Sequence, residues 1–502
     1  MLRRFVQNTA ISAVAYALAG VLGLFAVGLI ARSYGLAVLG LIVLVRSFLP
    51  TGVLALVDFG VSETATQVVA RGRVGDWSLA REKVSILVLV AGLAGTISAI
   101  ALWIAAPSLA MVFKVAQDQA GAFVSILEMT ALMLPIAFLG LVTEGAIKGF
   151  QQYGWLRATE VASNILYVAA VYVAVWQQMA FEWIAYAYLA VTVGKYFILA
   201  AVLCYTARHT PLRLGSWGAR SRRDILHRCW LMFNGRIGGT LQQTVIPLAI
   251  GALFSPVEVG TYDLIMRLPR FMKTTMAPIY SAILPISTHI DETTDTRRMQ
   301  ILGRNGFVLP AAVVIPIMVV IALFSEQILK VWVGPEHAGQ WPWLAIALLP
   351  GAVTVMLGAG QMALMVRTDF LRLINRLLYL QVLTQYLATL LFLVWFREMA
   401  FILGWTISYI VFGPVFAYYI LREMGLPPSL FWKQLARHAA VAAMLAAIAA
   451  ASKLIAIPDG LLGLVAAGGF TCICAWILSG AFILSNGDRA MFGRFARAMT
   501  QR

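Results

Sequence analysis

Apolar stretches long enough to cross a membrane recur from one end of this 502-residue chain to the other. A transmembrane α-helix needs about 20 apolar residues to cross roughly 30 Å of hydrocarbon. Of the residues, 61% are hydrophobic and 12% are charged, whereas a soluble domain carries roughly 25% charged residues. The longest polar stretches, residues 208–228 and 289–304, are too short to form a separate catalytic domain. The sequence therefore predicts an all-α polytopic membrane protein whose function lies within its helix bundle.

The hydropathy pattern predicts about fourteen transmembrane helices. The predicted spans are 9–32, 37–59, 85–106, 121–146, 158–177, 182–206, 231–253, 258–286, 305–324, 343–366, 376–396, 400–421, 436–455 and 461–485. With this arrangement, most of the 38 Lys and Arg residues fall in loops on one side of the membrane. The opposite loops contain Arg32, Lys114, Lys330, Arg397 and Lys453. Because positively charged loops stay in the cytoplasm, both termini are predicted to be cytoplasmic.

The net charge of +16 follows largely from this topology. Basic loops orient the protein and contact anionic lipid headgroups, and we expect no binding of nucleic acid. The four cysteines lack a paired spacing and are predicted to be packing residues. The five histidines lack metal-ligand spacing, and the chain has no GxxxxGK[ST] phosphate loop. The sequence therefore predicts no metal site, no cofactor and no enzymatic activity.

A short motif occurs twice in the chain. Residues 31–40 read ARSYGLAVLG, and residues 251–260 read GALFSPVEVG, with an aromatic residue, a small residue and a final glycine at matching places. Each copy is followed within eight residues by an intramembrane arginine, Arg46 or Arg267. The two arginines lie on the second and eighth predicted helices, so the offset is an even number of helices and the two halves have the same orientation. This predicts a parallel repeat of six-helix halves with a substrate path between them.

Several cations lie deep in the predicted spans. A cation at the bilayer centre costs ~2.5 to 3.5 kcal/mol on insertion scales, so it implies a partner, a wet cavity or a ligand. At 1.5 Å per residue, Arg46 lies about 14 Å below the predicted outer end of its helix. On the eighth helix, one side carries a stripe of charged residues, which is predicted to face a cavity with surplus positive charge. The stripe consists of Asp263, Arg267, Arg270 and Lys273.

Proline residues accompany both arginine-bearing segments. Pro50 removes the backbone hydrogen bond to the carbonyl of Arg46, and Pro269 lies between Arg267 and Arg270. We therefore predict that both helices kink at the charged positions.

Other polar residues in the spans have two interpretations each. The basic ones either line the cavity or extend their charged heads to cytoplasmic water. The acidic ones either couple transport to an ion or act as solvated or capping groups. The amides bond either sugar hydroxyls or neighbouring helices. These residues are Lys195, Arg236, Asp58, Glu128, Gln242 and Gln243.

The N-terminal part of the sequence resembles a known family. The segments 28–35 (GLIARSYG), 38–40 (VLG) and 57–60 (VDFG) look like the opening of polysaccharide-export flippases of the O-antigen type. Segment 144–151 (EGAIKGFQ) is similar to the end of that family's fourth helix. The family lies in a superfamily that also holds multidrug and toxin extrusion transporters and lipid II flippases. These loose motifs cover mainly the first 160 residues.

The resemblance implies two six-helix lobes around a central cavity, followed by two further helices. On this basis we predict an N-terminal lobe over residues 1–220 and a C-terminal lobe over 221–425. Residues 426–502 would form the two additional helices and a basic cytoplasmic tail.

The resemblance also implies a function in surface polysaccharide synthesis. The expected substrate is an oligosaccharide linked through pyrophosphate to a polyprenol, moved from the cytoplasmic to the periplasmic leaflet of a bacterial inner membrane by alternating access. The expected partners are this lipid-linked substrate, membrane lipids and proteins of polysaccharide assembly. The predicted substrate-binding cations are Arg46, Arg267, Arg270, Lys273, Arg236 and Lys195, and the predicted polar or coupling residues are Asp263, Asp58, Glu128, Gln242 and Gln243.

Two other functions are compatible with such a chain. The first is a cation-coupled multidrug exporter of the same superfamily, which would favour an acidic rather than a basic cavity. The second is a membrane-embedded sugar or acyl transferase, which would need clustered His, Asp or Glu acid–base groups near a membrane face. The oligomeric state, the sugar and the driving force are left open by the sequence.

Overall fold

The structure is a computed structural model, and it describes residues 2–73, 77–208, 219–281, 283, 287, 290, 295–365, 367–452, 460–485 and 487. These residues form sixteen α-helices, and none of them lies in a strand. The helices are α1 (Leu2–Ser47), α2 (Val61–Gly72), α3 (Trp77–Val112), α4 (Gln117–Gly149), α5 (Tyr153–Trp176), α6 (Glu182–Ala207), α7 (Ala219–Gln243), α8 (Ile246–Leu253), α9 (Pro256–Ser281), α10 (Thr296–Leu323), α11 (Ser325–Trp332), α12 (Trp341–Leu364), α13 (Thr368–Phe396), α14 (Ala400–Glu423), α15 (Ser429–Ser452) and α16 (Leu461–Phe482).

Ten segments within the described residues are long and apolar enough to cross a membrane. One of them, Asp369–Glu423, contains both α13 and α14, and another, Val14–Ser47, bends at Gly35. The predicted spans 231–253 and 258–286 correspond to α7, α8 and α9, where a helix break and several charged residues lower the hydropathy. The predicted fold class, an all-α polytopic membrane protein, is confirmed.

The chain divides into two compact units, residues 1–264 and 265–502. In the first unit, α3 packs on α4, α4 on α6, and α1 on α5, while α7 packs on α2 and α3. This division falls within α9, whereas the sequence predicted lobes that meet at residue 220. The predicted boundaries rest on the repeat and on membrane orientation, and they stay a prediction.

The second unit is built around α10. This helix packs against α12, α15 and α16, and α14 joins α12 to α13. The indole Nε1 of Trp476 donates to the carbonyl of Val313 at 3.2 Å, and the Ser479 hydroxyl donates to the carbonyl of Ala312 at 2.5 Å. The last helix is therefore fixed to α10 by side-chain hydrogen bonds as well as by apolar packing.

The first two predicted spans are joined at a hinge. Gly35 adopts φ 82° and ψ 174° inside α1, a conformation that glycine reaches without steric cost. The second span does not simply kink at Pro50. Instead α1 ends at Ser47, a 3₁₀ turn covers Val53–Leu56, and a separate helix α2 begins at Val61. α9, in contrast, continues through Pro269.

The glycine spacing of segment 144–151 has a packing reason in the structure. A Cβ atom on Gly145 would lie 2.2 Å from the carbonyl oxygen of Ser62, and one on Gly149 would lie 2.7 Å from Cβ of Val69. α2 and α4 are therefore in backbone contact, which larger residues at these two positions would prevent.

The two copies of the repeated motif meet in the first unit. A Cβ atom on Gly40 would lie 1.7 Å from the carbonyl oxygen of Pro256 and 3.0 Å from the backbone nitrogen of Gly260. A Cβ atom on Gly260 would lie 2.1 Å from the carbonyl oxygen of Leu36. The final glycines of residues 31–40 and 251–260 thus form one close crossing of α1 and α9.

Candidate functional site

Arg46 occupies a cage of aromatic rings in the first unit. Its guanidinium carbon lies 4.1 Å from the ring centre of Tyr188 and 5.1 Å from that of Tyr167. The two rings lie 5.3 Å apart with an interplanar angle of 76°. Tyr167 comes from α5 and Tyr188 from α6, so three helices together position this side chain.

The cage stabilises the buried cation without requiring a carboxylate in contact with it. A desolvated cation over an aromatic face gains about 2 kcal/mol, which offsets much of the ~2.5 to 3.5 kcal/mol cost of insertion. The Nε–H of Arg46 is buried and has no hydrogen-bond acceptor among the described residues. Asp263, which is 2% exposed, lies close enough to interact electrostatically with Arg46. The sequence did not indicate this neighbour, because Asp263 is far from Arg46 in the chain.

A second group of charged residues lies on α2, α4 and α6, and it contains carboxylates as well as cations. Lys148 pairs with Glu144 at 2.7 Å on α4, and Glu63 of α2 lies within electrostatic reach of Lys148. The Nζ of Lys195 lies 4.6 Å from the ring centre of Tyr196 and within electrostatic reach of Glu144. Lys195 therefore has a carboxylate neighbour and adds little to a positive surplus.

The remaining predicted cations lie on α7 and α9. Arg267, Arg270 and Lys273 are each half-buried along α9. Arg236 lies on α7, and its side chain is outside the described residues. That these cations share one cavity with Arg46 stays a prediction.

The predicted polar residues have different environments. Asp58 is buried, and its Oδ1 accepts hydrogen bonds from the backbone N–H groups of Gly60 and Val61, at 2.5 and 3.2 Å. These bonds hold the turn just before α2. Glu128 is half-buried on α4, while Gln242 is buried and Gln243 half-buried at the end of α7.

Sequence reasoning missed the two tyrosines of the cage. Tyr167 and Tyr188 lie in apolar spans with other aromatic residues, and nothing in their spacing distinguishes them. The cage forms only because α1 packs on α5 and α5 packs on α6. An intramembrane arginine predicts a partner of some kind, but not which one.

Comparison with known proteins identifies the family. Residues 29–341 match the sequence profile of a family described as polysaccharide biosynthesis protein, which covers more than half of the chain. A search of curated protein sequences finds no significant match.

Solved structures share the fold at low sequence identity. A lipid II flippase, MurJ, in an inward closed conformation has a TM-score of 0.71 at 12% identity, covering 94% of this chain and 98% of its own. An inward-facing multidrug resistance MATE family transporter of the MOP superfamily has a TM-score of 0.58 at 12% identity, covering 83% and 94%. A eukaryotic MATE transporter has a TM-score of 0.56 at 13% identity, covering 83% and 96%. The chain therefore shares its fold with these transporters and belongs to the polysaccharide biosynthesis protein family.

Proposed function

We propose that this protein is a flippase for an oligosaccharide linked through pyrophosphate to a polyprenol. It moves this glycolipid from the cytoplasmic to the periplasmic leaflet of a bacterial inner membrane, with both of its own termini in the cytoplasm. The family supports a role in making polysaccharide. The observation that carries the choice of substrate is the guanidinium of Arg46, held between two tyrosine rings in a predicted membrane span.

A pyrophosphate headgroup fits such a group chemically. Guanidinium is planar, always charged and able to donate two parallel hydrogen bonds to phosphate oxygens. The faces of Tyr167 and Tyr188 hold the cation without accepting all of its N–H groups. Arg46 is therefore able to bind an anion that passes through the bilayer, whereas an arginine fully paired with a carboxylate would not be able to do so.

The second lobe would supply further cations. Arg267, Arg270 and Lys273 lie on one side of α9, and in the proposed mechanism they line the same wet cavity as Arg46. The headgroup would enter from the cytoplasmic side, bind cations of both lobes, and leave after the lobes have opened to the periplasm. Alternating access between two parallel repeats requires a binding site that both repeats share.

Removal of single cations tests the proposal. We expect Arg46→Ala and Arg267→Ala to abolish export of the glycan and to cause lipid-linked intermediates to accumulate on the cytoplasmic side, while membrane insertion is unchanged. Arg46→Lys should retain only part of the activity, because a point charge lacks the bidentate geometry. The matched control is Arg298→Ala, whose side chain is 67% exposed and pairs with Asp295 at 3.1 Å. Wild-type export by both alanine variants would refute the pyrophosphate role.

A multidrug exporter is the second candidate function. Asp263 lies near Arg46 and offsets part of its charge, and two of the structural neighbours are MATE transporters. A deletion strain distinguishes the two functions. Loss of surface glycan supports the flippase, whereas unchanged glycan with increased sensitivity to cationic dyes or drugs supports the exporter.

A further inference from the structure

A cavity of about 140 Å³ lies between α2 and the start of α3 in the first unit. This is roughly ten times the space that one buried water needs, so a small polar group fits. Val68 and Leu79 form part of an apolar wall. The polar wall consists of Thr64, Gln67, Arg71 and Lys83.

The polar wall is basic. Arg71 is exposed at the end of α2, and the Lys83 side chain, 14% exposed, points into a partly desolvated environment. Arg73 and Arg81 flank the cavity in sequence, and the Nε–H of Arg81 is buried with no acceptor among the described residues. Clustered cations in a recess of low dielectric attract anions more strongly than the same charges on an open surface.

Asp224 of α7 is already paired with Lys83, one of the residues that line this cavity. Its carboxylate contacts the Nζ of Lys83, and its side chain is 38% exposed. A more highly charged anion in the cavity would compete with this carboxylate for Lys83. Because the ion pair links α3 to an early turn of α7, such competition would also loosen the attachment of α7.

We propose that this cavity is a binding site for a phosphate group, with Asp224 as its built-in competitor. Arg71 supplies a bidentate donor, Lys83 supplies a point charge, and the Gln67 amide supplies a neutral donor, which suits the tetrahedral arrangement of phosphate oxygens. The site is separate from the Arg46 cage, and the proposal does not depend on the flippase function.

Two sources of phosphate fit this chemistry. One is the headgroup of an anionic phospholipid, since Leu79 is 45% exposed beside the cavity and this end of α3 is predicted to lie at the cytoplasmic interface, where such lipids are abundant. The other is a soluble phosphate compound. The two sources share their contacts with Arg71 and Lys83, so only the experiment separates them.

Binding to the purified full-length protein tests the site in two arms. In the first, native mass spectrometry counts phosphatidylglycerol molecules retained from mixed micelles, with phosphatidylcholine as the reference lipid. In the second, thermal stability is measured in inorganic phosphate against chloride at the same ionic strength. We expect Arg71→Ala and Lys83→Ala each to weaken binding about tenfold, as loss of one charge-assisted contact does. Asp224→Asn should instead strengthen binding, because it removes the competitor.

The control is Arg372→Ala, whose side chain is 72% exposed and is not part of the cavity wall. If the two alanine variants bind phosphatidylglycerol more weakly and Asp224→Asn binds it more strongly, the ligand is a phospholipid headgroup. If the variants differ in this way only in the inorganic phosphate arm, the ligand is a soluble phosphate. Equal binding by wild type and Arg71→Ala in both arms would overturn the site. An equal loss in Arg372→Ala would overturn it too, since it would show only general attraction by basic loops. The double variant Lys83→Ala/Asp224→Ala removes both members of the ion pair and so leaves no unpaired carboxylate. If this variant folds and still binds phosphate weakly, the weak binding of Lys83→Ala results from lost affinity and not from misfolding.

Discussion

The buried charges of the first unit are stabilised in two different ways. Arg157 pairs with Glu160 at 2.5 Å and also lies 4.4 Å from the ring centre of Tyr16. Lys148 pairs with Glu144 in the same manner. Arg46 is instead held mainly by ring faces. A carboxylate pair neutralises its cation, whereas ring faces leave the charge available, and this difference supports the proposal that Arg46 binds an anion.

The ring face of Tyr188 predicts a measurable contribution to stability. Tyr188→Leu should lower the free energy of unfolding by about 2 kcal/mol through loss of the desolvated cation–π contact, whereas Tyr188→Phe should retain most of it. Thermal unfolding of the purified protein measures both. Tyr172→Leu on the lipid-exposed side of α5, where the side chain is 56% exposed, is the matched control. If Tyr188→Leu is equally destabilising in an Arg46→Met background, the two residues are not coupled and the cage does not hold the cation.

The elements that carry the site are positioned by glycine and proline. Gly35 turns the chain from one span to the next, and Pro50 follows the end of α1 directly after the site. Asp58 and Gly60 then restart the helix as α2, with Gly60 at φ 69°. Arg46 therefore lies in the last turn of a helix that ends inside the predicted span, where its carbonyl accepts a hydrogen bond from the backbone N–H of Leu49 at 3.1 Å.

The crossing of α1 and α9 is tight enough to predict the effect of one methyl group. Gly260→Ala places a Cβ about 2 Å from the carbonyl oxygen of Leu36, so the two backbones must separate, at a cost of about 3 kcal/mol. Gly23→Ala, also on a helix but with open space at its Cβ, should be neutral or stabilising by about 1 kcal/mol. Thermal unfolding of both variants measures the difference. Equal stability of the two would show that the helices do not cross at this glycine.

At the scale of the whole molecule, charge distribution determines orientation in the membrane. Most basic residues lie in loops on one predicted side, and α3 connects the two sides. Arg73 lies just before this helix and Lys114 just after it, and both are exposed. The two positions therefore report opposite faces of the bilayer.

Cysteine labelling in intact cells tests this orientation. With the four native cysteines replaced, Lys114→Cys should react with a maleimide that cannot cross the inner membrane, and Arg73→Cys should react only after the membrane is opened. Labelling of the same two positions in opened membranes controls for intrinsic reactivity. The reverse pattern in intact cells would invert the topology and, with it, the proposed direction of transport.

Hydropathy and charge were sufficient to predict the all-α class, the positions of most spans and the intramembrane cations, because membrane insertion depends on properties that each segment has by itself. The final glycines of the two motif copies, Gly40 and Gly260, lie in contact in the structure, while the repeat of six-helix halves stays a prediction. In contrast, the break after Ser47, the tyrosine cage of Arg46 and the neighbouring Asp263 depended on tertiary structure. Each of these arises from residues distant in the chain, and a sequence does not specify which helices pack together. The partner of a buried charge is decided by helix packing, and packing is a property of the folded bundle.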